Sequence, residues 1–568
     1  MSYSLDLRDY SDKWSLMTAD DGTRYWMLDV VYCSKPALPE VQHMIIYAPE
    51  SYMAENDGLV SIYPEGSVKN NNNIVYTPAS APIIYTNTSG GYSSSKTQPV
   101  NIGYMKQGYV QVSIGARGKE TKDGEGRFVG QFPLLMVDLK AGIRFLKANK
   151  GIVPGNTDKI VSHGYSSGGA VSVMLGASGN SPIYDRYFEE IGAAEATDDI
   201  CVVLGYCPIT NLSSADAGYE WFQRGNQRYC LFNAMGYDYL GNDITDIMPV
   251  GPKVKYPFGS NILGGAHEDK LAEYLYNWFV SYVRKMLGED ALTEDGRGGP
   301  FFTEFVQMYA DSLTTFARRY SDVMGSYEKR FFGHKEFQTY KELYPTWDAY
   351  LQHLKKDHNS DAWLSWDGER AVIKPEDYDT FMNCFINRNK MCPSLDSYNK
   401  KSNEASAFQE ADGTTKHFSA VVRDGLEFLV KLYEERPDEF TGKTDPKTGE
   451  VMPFGKEDLD YLKALADIYT AEVTDESVHM LDIMSPVSYI INDDPYWESK
   501  QAPYWRFQIG SGDGDQGIPQ AWITLKALEK YVPESIKKAE MSIIWDRPHC
   551  PAEYDVQDLY DYLDKNLG

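Results

Sequence analysis

The chain has 568 residues, of which 42% are hydrophobic and 13% aromatic, and this composition is typical of a globular protein with a sizeable core. Its 82 acidic and 55 basic residues give a net charge of −27, which repels both phosphate backbones and anionic membrane surfaces. We therefore expect neither nucleic acid nor a membrane as a partner.

The seven cysteines form no C-x-x-C pair and no regular spacing, which indicates mostly reduced, buried thiols and a reducing compartment. The N-terminal sequence MSYSLDLRDYSDKW has no basic start followed by an apolar run. No segment approaches the roughly 18 apolar residues of a membrane span. The sequence therefore predicts a cytoplasmic protein, and it carries no signal for an oligomeric state.

From about residue 25 to 209, short apolar runs rich in β-branched residues alternate with amphipathic stretches. Residues 133–151, which lie between the fourth and fifth of these runs, carry apolar side chains at helical spacing. Strand, helix and strand in this order predict parallel crossovers and a doubly wound α/β sheet. The candidate strands are 26–33, 44–49, 81–87, 109–117, 159–165 and 201–209.

The pattern changes after Ile209, where aromatic and acidic helical stretches such as 268–287, 303–320 and 418–437 replace it. A helical domain inserted into one α/β core explains this order better than two serial domains. The strand and helix pattern resumes with strands at 504–510 and 541–546 and helices at 517–531 and 556–567. We predict a core at 1–209 and 485–568 and a mainly helical cap, or lid, at 210–484.

A G-x-S-x-G motif, Gly164-Tyr165-Ser166-Ser167-Gly168, lies between the apolar strand KIVSH and the small-residue helix GGAVSVMLGAS. This strand-to-helix turn is typical of the nucleophile elbow of α/β-hydrolases, in which the serine has a strained backbone and the glycines avoid collisions. The context therefore favours Ser166 as a nucleophile over a Gly-Ser turn without chemistry.

A serine hydroxyl is a weak nucleophile and needs a histidine base, which in this fold follows the orienting acid late in the chain. His549 follows the strand MSIIWD and is the only histidine beyond residue 479. The competing histidines are His163, within the strand before the elbow, and His417, within the insertion. The acid comes from the loop after the preceding strand, where the pattern leaves Asp513 and Asp515 as candidates.

An oxyanion hole requires two backbone N–H groups. One comes from the residue after the nucleophile, here Ser167, and the other from the loop after the third core strand. That loop contains paired glycines in the segment NTSGGY, residues 87–92, and we expect Gly91 or its neighbour to supply the second donor. A simple tight turn is the alternative interpretation.

The chain resembles the bacterial tannases, α/β-hydrolases that split galloyl esters, in ordered segments across almost its whole length. These segments include APIIYTNTSGGY (81–92), SSGGA (166–170), GASGNS (176–181), ATDDI (196–200), YCPI (206–209), DAGYEW (216–221), YWR and DGD (504–515), and WDRPH (545–549). The resemblance implies that Ser166 is the nucleophile, Asp513 the acid and His549 the base.

The same resemblance implies that Lys390 and Glu404, from the cap, and Asp515 surround the hydroxyl groups of the galloyl ring. Carboxylates accept hydrogen bonds from phenolic hydroxyls, and an ammonium group donates to their oxygens. The chain departs from the family at Tyr165, where small residues are usual. The fungal tannases and feruloyl esterases join a cysteine next to the nucleophile to a cysteine next to the base. Cys550 follows His549 here, but position 165 is Tyr, so that bridge cannot form.

The sequence thus predicts a serine esterase that hydrolyses galloyl esters through an acyl-enzyme intermediate, without a metal or an organic cofactor. An esterase for another aromatic acid, such as ferulic acid, is the nearest alternative. A serine peptidase of the prolyl oligopeptidase type is more distant, since about 160 residues without blade repeats precede Ser166. A binding protein on an inactive hydrolase scaffold is the alternative from another class.

Overall fold

The computed structural model describes residues 2–224, 226, 228–229, 254–255, 266–329, 338–386, 388, 390, 392–398, 400–440, 443–444, 451–452, 455–515, 518–551 and 553–568. Strands from both ends of the chain join in one nine-stranded sheet of order β1-β2-β3-β5-β4-β6-β7-β8-β9. These strands are β1 (Ser15–Thr18), β2 (Arg24–Val31), β3 (His43–Pro49), β4 (Ile83–Thr86), β5 (Val110–Ile114), β6 (Ile160–Tyr165), β7 (Val202–Tyr206), β8 (Tyr504–Gly510) and β9 (Lys538–Ile544).

The sheet is parallel from β5 to β9, as the apolar runs predict, and every residue of β5 and β7 is buried. Strands that are covered on both faces read as continuous apolar runs for this reason. The first three strands differ from the prediction, because β1, β2 and β3 pair antiparallel. The connections between them are too short for a crossover helix, so the chain turns back as hairpins.

Helices cover both faces of the sheet and are the main regular element among the described residues between β7 and β8. They are α1 (Ile102–Gln107), α2 (Leu134–Ala148), α3 (Ser167–Ala177), α4 (Asp185–Ile191), α5 (Leu212–Gln223), α6 (Ala266–Leu287), α7 (Pro300–Arg318), α8 (Tyr340–Leu343), α9 (Trp347–His358), α10 (Tyr378–Phe385), α11 (Asn403–Ala407), α12 (Ala420–Glu435), α13 (Lys456–Glu472), α14 (Asp475–Ile483), α15 (Pro486–Ile491), α16 (Pro519–Tyr531) and α17 (Val556–Leu567).

The segment between β7 and β8 packs as a helical layer in which α6 contacts both α5 and α12. Helix α16, which follows β8, contacts α5 and α6 and joins this layer to the sheet. The cap boundaries at 210 and 484 stay a prediction.

The described residues also form short two-stranded ribbons, which the sequence does not predict. They are Met53–Asn56 with Leu59–Ile62, Val68–Lys69 with Val75–Tyr76, Arg228–Tyr229 with Val254–Lys255, Glu328–Lys329 with Gln338–Thr339, Ser365–Asp367 with Arg370–Val372, and Lys443–Thr444 with Val451–Met452.

No helix within the described ranges combines the length and the apolar character needed to cross a bilayer. Of the cysteines, Cys230 lies outside the described residues, and the other six form no disulfide.

A buried ion pair joins the loop after β5 to helix α2. The Arg117 side chain donates to both carboxylate oxygens of Asp138 at 2.8 and 2.9 Å, and the Arg117 backbone N–H and the Gln42 amide donate to the same carboxylate. The arginine side chain is 5% exposed and the aspartate is fully buried. Such a bidentate pair, with its remaining acceptor sites filled, fixes the loop on the helix.

We predict that Asp138→Ala lowers the free energy of unfolding by about 3–5 kcal/mol, because it leaves the Arg117 charge buried without a counter-charge. The measurement is the urea concentration at the unfolding midpoint. Asp158→Ala is the matched control, since Asp158 pairs with Lys150 at the surface and both side chains are 63% exposed. That variant should change the free energy by less than about 1 kcal/mol. Equal losses in the two variants would contradict the assignment.

Candidate active site

Ser166 lies between the end of β6 and the start of α3, with φ 59° and ψ −129°. This region of backbone conformation is unfavourable for a residue with a side chain, and packing must hold it. The Ser166 N–H donates to the Tyr206 carbonyl on neighbouring β7 at 2.9 Å. A Cβ atom at Gly164 would lie 2.2 Å from the Gly168 carbonyl oxygen, so the turn closes only with glycine there. The structure therefore has the elbow that the motif predicts.

The three side chains predicted to act together form one hydrogen-bonded series. Ser166 Oγ lies 2.8 Å from Nε2 of His549, and Nδ1 of the same ring lies 2.9 Å from Oδ2 of Asp513. Asp513 is completely buried. Asp513 therefore takes the position predicted for the acid, and its Oδ1 also accepts the backbone N–H of Asp515 at 3.0 Å.

The electrostatic surroundings of His549 favour its charged form. Burial opposes that charge, but the negative charge of Asp513 and its hydrogen bond raise the pKa of His549 well above its usual value. The Asp513 carboxylate thus stabilises the imidazolium that would form when His549 takes a proton.

The competing histidines lie elsewhere. His163 packs against the rings of Tyr165 and Tyr206, and burial lowers its pKa to about 4. His417 is buried in the cap, where its Nδ1 lies 2.9 Å from Asp396 and its ring stacks on Tyr469. Among the described residues, neither of these histidines forms a hydrogen bond with Ser166.

The loop predicted to complete the oxyanion hole lies directly on the elbow. Ser167 Oγ donates to the Ser89 carbonyl and accepts the Tyr92 N–H, both at 2.8 Å. Because the N–H of Tyr92 is engaged in this way, Gly91, with φ 60°, is the better candidate for the second donor. Ser167 is the first residue of α3, where a backbone N–H has no acceptor within its own helix.

A family model described as BD-FAE matches residues 77–242, whereas no curated protein matches the chain. The crystal structure of a Lactobacillus plantarum tannase superposes with a TM-score of 0.70 at 24% identity and covers 99% of both chains. The Fusobacterium nucleatum tannase gives a TM-score of 0.69 at 24% identity over 100% of both. The chain has the tannase fold. The predicted α/β-hydrolase architecture with a helical cap is thereby confirmed.

Within this tannase fold, the segment that carries Lys390 is attached to the loop that carries the two aspartates. The hydroxyl of Tyr219, on α5, accepts the Lys390 backbone N–H at 3.1 Å and donates to the Gly514 carbonyl at 2.7 Å. Gly514 lies between Asp513 and Asp515, the latter only 6% exposed. The sequence indicates Lys390 and Asp515, but it does not indicate that a tyrosine joins the Lys390 backbone to Gly514.

An ion pair between buried side chains supports the same segment. Arg388 donates to the two carboxylate oxygens of Glu220, and its Nε donates to the Lys390 carbonyl at 2.8 Å. The two charged side chains are 3% and 2% exposed. Only the DAGYEW segment, which contains Tyr219 and Glu220, gives a sequence signal for this arrangement, and that signal comes from the family resemblance.

Glu404, on the short cap helix α11, is 3% exposed. Its negative charge acts on Tyr92, whose pKa is raised mainly by burial, and on Lys119, where it opposes the lowering of the pKa by burial. Helix α11 also contacts Gly91, since a Cβ atom there would lie 3.3 Å from the Asn403 side chain. The structure therefore places Glu404 beside the predicted oxyanion loop.

The cap also fixes the loop that carries His549. Asp546, at the start of that loop, accepts hydrogen bonds at 2.8–3.1 Å from Lys329, Tyr340 and Tyr350 of the cap. These contacts have no local sequence signal, because their partners are about 200 residues away from Asp546 along the chain.

We predict that Gly164→Ala destabilises the protein by about 1–3 kcal/mol, the range for forcing an extra carbon into a packed site. The reason is the contact of 2.2 Å with the Gly168 carbonyl. Gly124→Ala is the control, because no atom lies within 4 Å of a Cβ placed there. Thermal unfolding measures both variants. A Gly164→Ala protein that unfolds at the wild-type midpoint would contradict this account of the elbow.

Proposed function

We propose that this protein is a serine esterase that hydrolyses galloyl esters in two acyl-transfer steps. The observation that carries the proposal is the series Ser166–His549–Asp513, with separations of 2.8 and 2.9 Å, on a strained elbow. This arrangement performs nucleophilic acyl transfer on several unrelated folds. The BD-FAE match and the tannase fold support the choice of an ester over other acyl compounds.

In the first step, His549 Nε2 takes the proton of the Ser166 hydroxyl while Oγ attacks the ester carbonyl carbon. The developing oxyanion accepts hydrogen bonds from the backbone N–H groups of Ser167 and Gly91. The C–O bond to the alcohol then breaks, and His549 gives its proton to the leaving oxygen. Asp513 holds the ring in the tautomer that leaves Nε2 free to accept a proton, and it stabilises the imidazolium.

In the second step, His549 takes a proton from water, and the resulting hydroxide attacks the acyl-enzyme carbonyl. The bond between the carbonyl carbon and Ser166 Oγ breaks, and Oγ recovers the proton from His549. The free acid leaves and the enzyme returns to its starting state. His549 takes and returns every proton that moves in the two steps. The proposed reaction therefore balances without a metal or an organic cofactor.

The proposed acyl group is a benzoyl ring with two or three adjacent hydroxyls. A tannin acyl hydrolase has been solved in complex with ethyl gallate, and a tannin acyl hydrolase has been solved in complex with 3,4-dihydroxybenzoate. In this chain, Glu404 and Asp515 supply buried carboxylate acceptors, and Lys390 supplies an ammonium donor. A buried carboxylate is costly unless it is compensated, and phenolic hydroxyls compensate it well.

We predict that Ser166→Ala and His549→Ala abolish hydrolysis of methyl gallate, because each removes a group that reacts. Asp513→Asn should lower kcat about 10⁴-fold, because an amide favours the wrong tautomer of the histidine. Steady-state kinetics with methyl gallate measure all three. Circular dichroism checks that each variant is folded.

His479→Ala is the matched control, because this exposed cap histidine contacts Tyr496 and should leave kcat unchanged. Labelling of wild-type Ser166 by a fluorophosphonate excludes an inactive binding scaffold. Hydrolysis retained by Ser166→Ala would refute the mechanism. Cleavage of a Pro-containing peptide amide in preference to esters would favour the peptidase alternative.

We predict that Glu404→Gln lowers kcat/KM for methyl gallate about 10- to 100-fold, because a hydrogen bond to a charged group contributes about 1.5–3 kcal/mol. The same variant should change kcat/KM for methyl benzoate little, since that ring has no hydroxyls. Glu410→Gln is the control. It lies in the same segment but is exposed, where it pairs with Lys416.

The ratio of kcat/KM for methyl gallate to that for methyl ferulate tests the ring specificity directly. A methoxy group cannot donate to a buried carboxylate, so the gallate should be the better substrate. Faster hydrolysis of the ferulate would replace the tannase proposal by the feruloyl esterase alternative and leave the serine mechanism intact.

A further inference from the structure

Two cysteines that the proposed reaction does not use lie beside the base. Cys207 directly follows β7, and Cys550 directly follows His549. The two Sγ atoms are 3.4 Å apart, and Cys207 Sγ lies 4.0 Å from Nε2 of His549. One ligand atom from each of the three residues lies within 4.8 Å of those of the other two. Two sulfurs and an imidazole nitrogen therefore converge on one point.

These separations are close to those around a zinc ion. A tetrahedral Zn²⁺, with Zn–S bonds of about 2.3 Å and a Zn–N bond of about 2.0 Å, separates two sulfurs by about 3.8 Å and a sulfur from a nitrogen by about 3.5 Å. The corresponding distances here are 3.4 and 4.0 Å. The observed separations differ from the ideal values by about 0.4 and 0.5 Å.

The backbone conformation at the two cysteines keeps their thiols close together. Cys207 has φ 42° and Cys550 has φ 59°, in the left-handed region that is unfavourable for residues other than glycine. The Cys207 N–H donates to the Gln508 carbonyl on β8 at 2.8 Å, and the Cys550 N–H donates to Cys207 Sγ at 3.2 Å. Strain of this kind persists only when the surrounding structure enforces it.

The surroundings of His549 also suit a metal ligand. Its Nδ1 lies 2.9 Å from the carboxylate of Asp513, and this hydrogen bond leaves the lone pair on Nε2. Metal-binding histidines commonly have a carboxylate in this position, which orients the ring and increases its basicity. Asp515 lies close as well, because ligand atoms of Asp513, Asp515 and His549 lie within 4.8 Å of one another. Its carboxylate adds negative charge that favours a divalent cation.

We propose that Cys207, Cys550 and His549 bind a thiophilic divalent cation such as Zn²⁺, and that the bound ion stops ester hydrolysis. Two thiol protons go to solvent on binding, and two thiolates and Nε2 become ligands. Hydrolysis stops because the ion takes the Nε2 lone pair that accepts the proton of Ser166. Soft sulfur ligands select Zn²⁺ over Mg²⁺ and Ca²⁺. The inhibition, but not the binding, rests on the proposed function.

Cobalt substitution tests the binding independently of activity. Co²⁺ added to the full-length, reduced protein without oxygen should give a thiolate-to-cobalt charge-transfer band and the visible bands of a tetrahedral ion, which saturate at one ion per chain. Added Zn²⁺ should bleach these bands. Thiol titration before each experiment verifies that the cysteines are reduced. A spectrum without the charge-transfer band, or an unchanged band in Cys207→Ser, would overturn the site.

Inhibition is measured as the rate of methyl gallate hydrolysis at free Zn²⁺ concentrations fixed by a chelator. Zn²⁺ should inhibit the wild type, and the chelator should restore its activity. Cys207→Ser and Cys550→Ser should each raise the inhibitory concentration at least 10-fold, since even the loss of an outer partner of a ligand weakens binding by this much. Mg²⁺ should not inhibit.

Cys384→Ser is the matched control, because this free thiol lies on cap helix α10, outside the cluster. It should keep the wild-type response to Zn²⁺. Equal inhibition of Cys207→Ser and the wild type would place the inhibitory ion elsewhere and refute the proposal. If the protein does not hydrolyse galloyl esters, the cobalt spectrum still decides whether the site exists, so the two failures are distinguishable.

Discussion

The strained backbone of Ser166 is the constraint on which the rest of the site depends. A serine at φ 59° and ψ −129° projects its hydroxyl from the sheet only if the strand before it and the helix after it approach closely. Gly164 permits that approach on one side, and the hydrogen bond from Ser166 N–H to β7 fixes the other. With the elbow in this position, Ser166 Oγ reaches His549, and Ser167 binds the loop that contains Ser89 and Tyr92.

The cap does more than cover the sheet, because it holds parts of the core in place. Tyr219 joins the Lys390 backbone to Gly514, between the two aspartates, and the buried pair of Arg388 and Glu220 supports the same segment. Other side chains of the cap form hydrogen bonds with Asp546, which lies at the start of the loop that carries His549. The Lys390 segment, the loop of Asp513 and Asp515, and the loop of His549 are therefore all held by contacts with the cap.

The sequence predicts the parallel strands within a few residues, because strands buried on both faces must be continuous apolar runs. It also predicts which serine, histidine and acidic loop come together, since the order of these groups along the chain is a property of the fold. It does not predict the hairpins of β1 to β3, whose pairing depends on connection length. Tyr219, Arg388 and Asp546 escape prediction because their partners are distant in sequence. Cys207 escapes it for the same reason, since no spacing along the chain relates it to residue 550.

The chemistry is divided between distant parts of the chain, and this has a consequence for biosynthesis. Ser166 and His549 are 383 positions apart, and His549 follows β9, which pairs with β8 and lies at the edge of the sheet that the described residues form. During synthesis the elbow can form long before its base has left the ribosome. A nascent or truncated chain that ends before residue 549 therefore lacks the histidine that would activate Ser166 in the proposed mechanism. Under the proposed mechanism, hydrolysis of an ester requires that β9 and the loop after it have joined the rest of the structure.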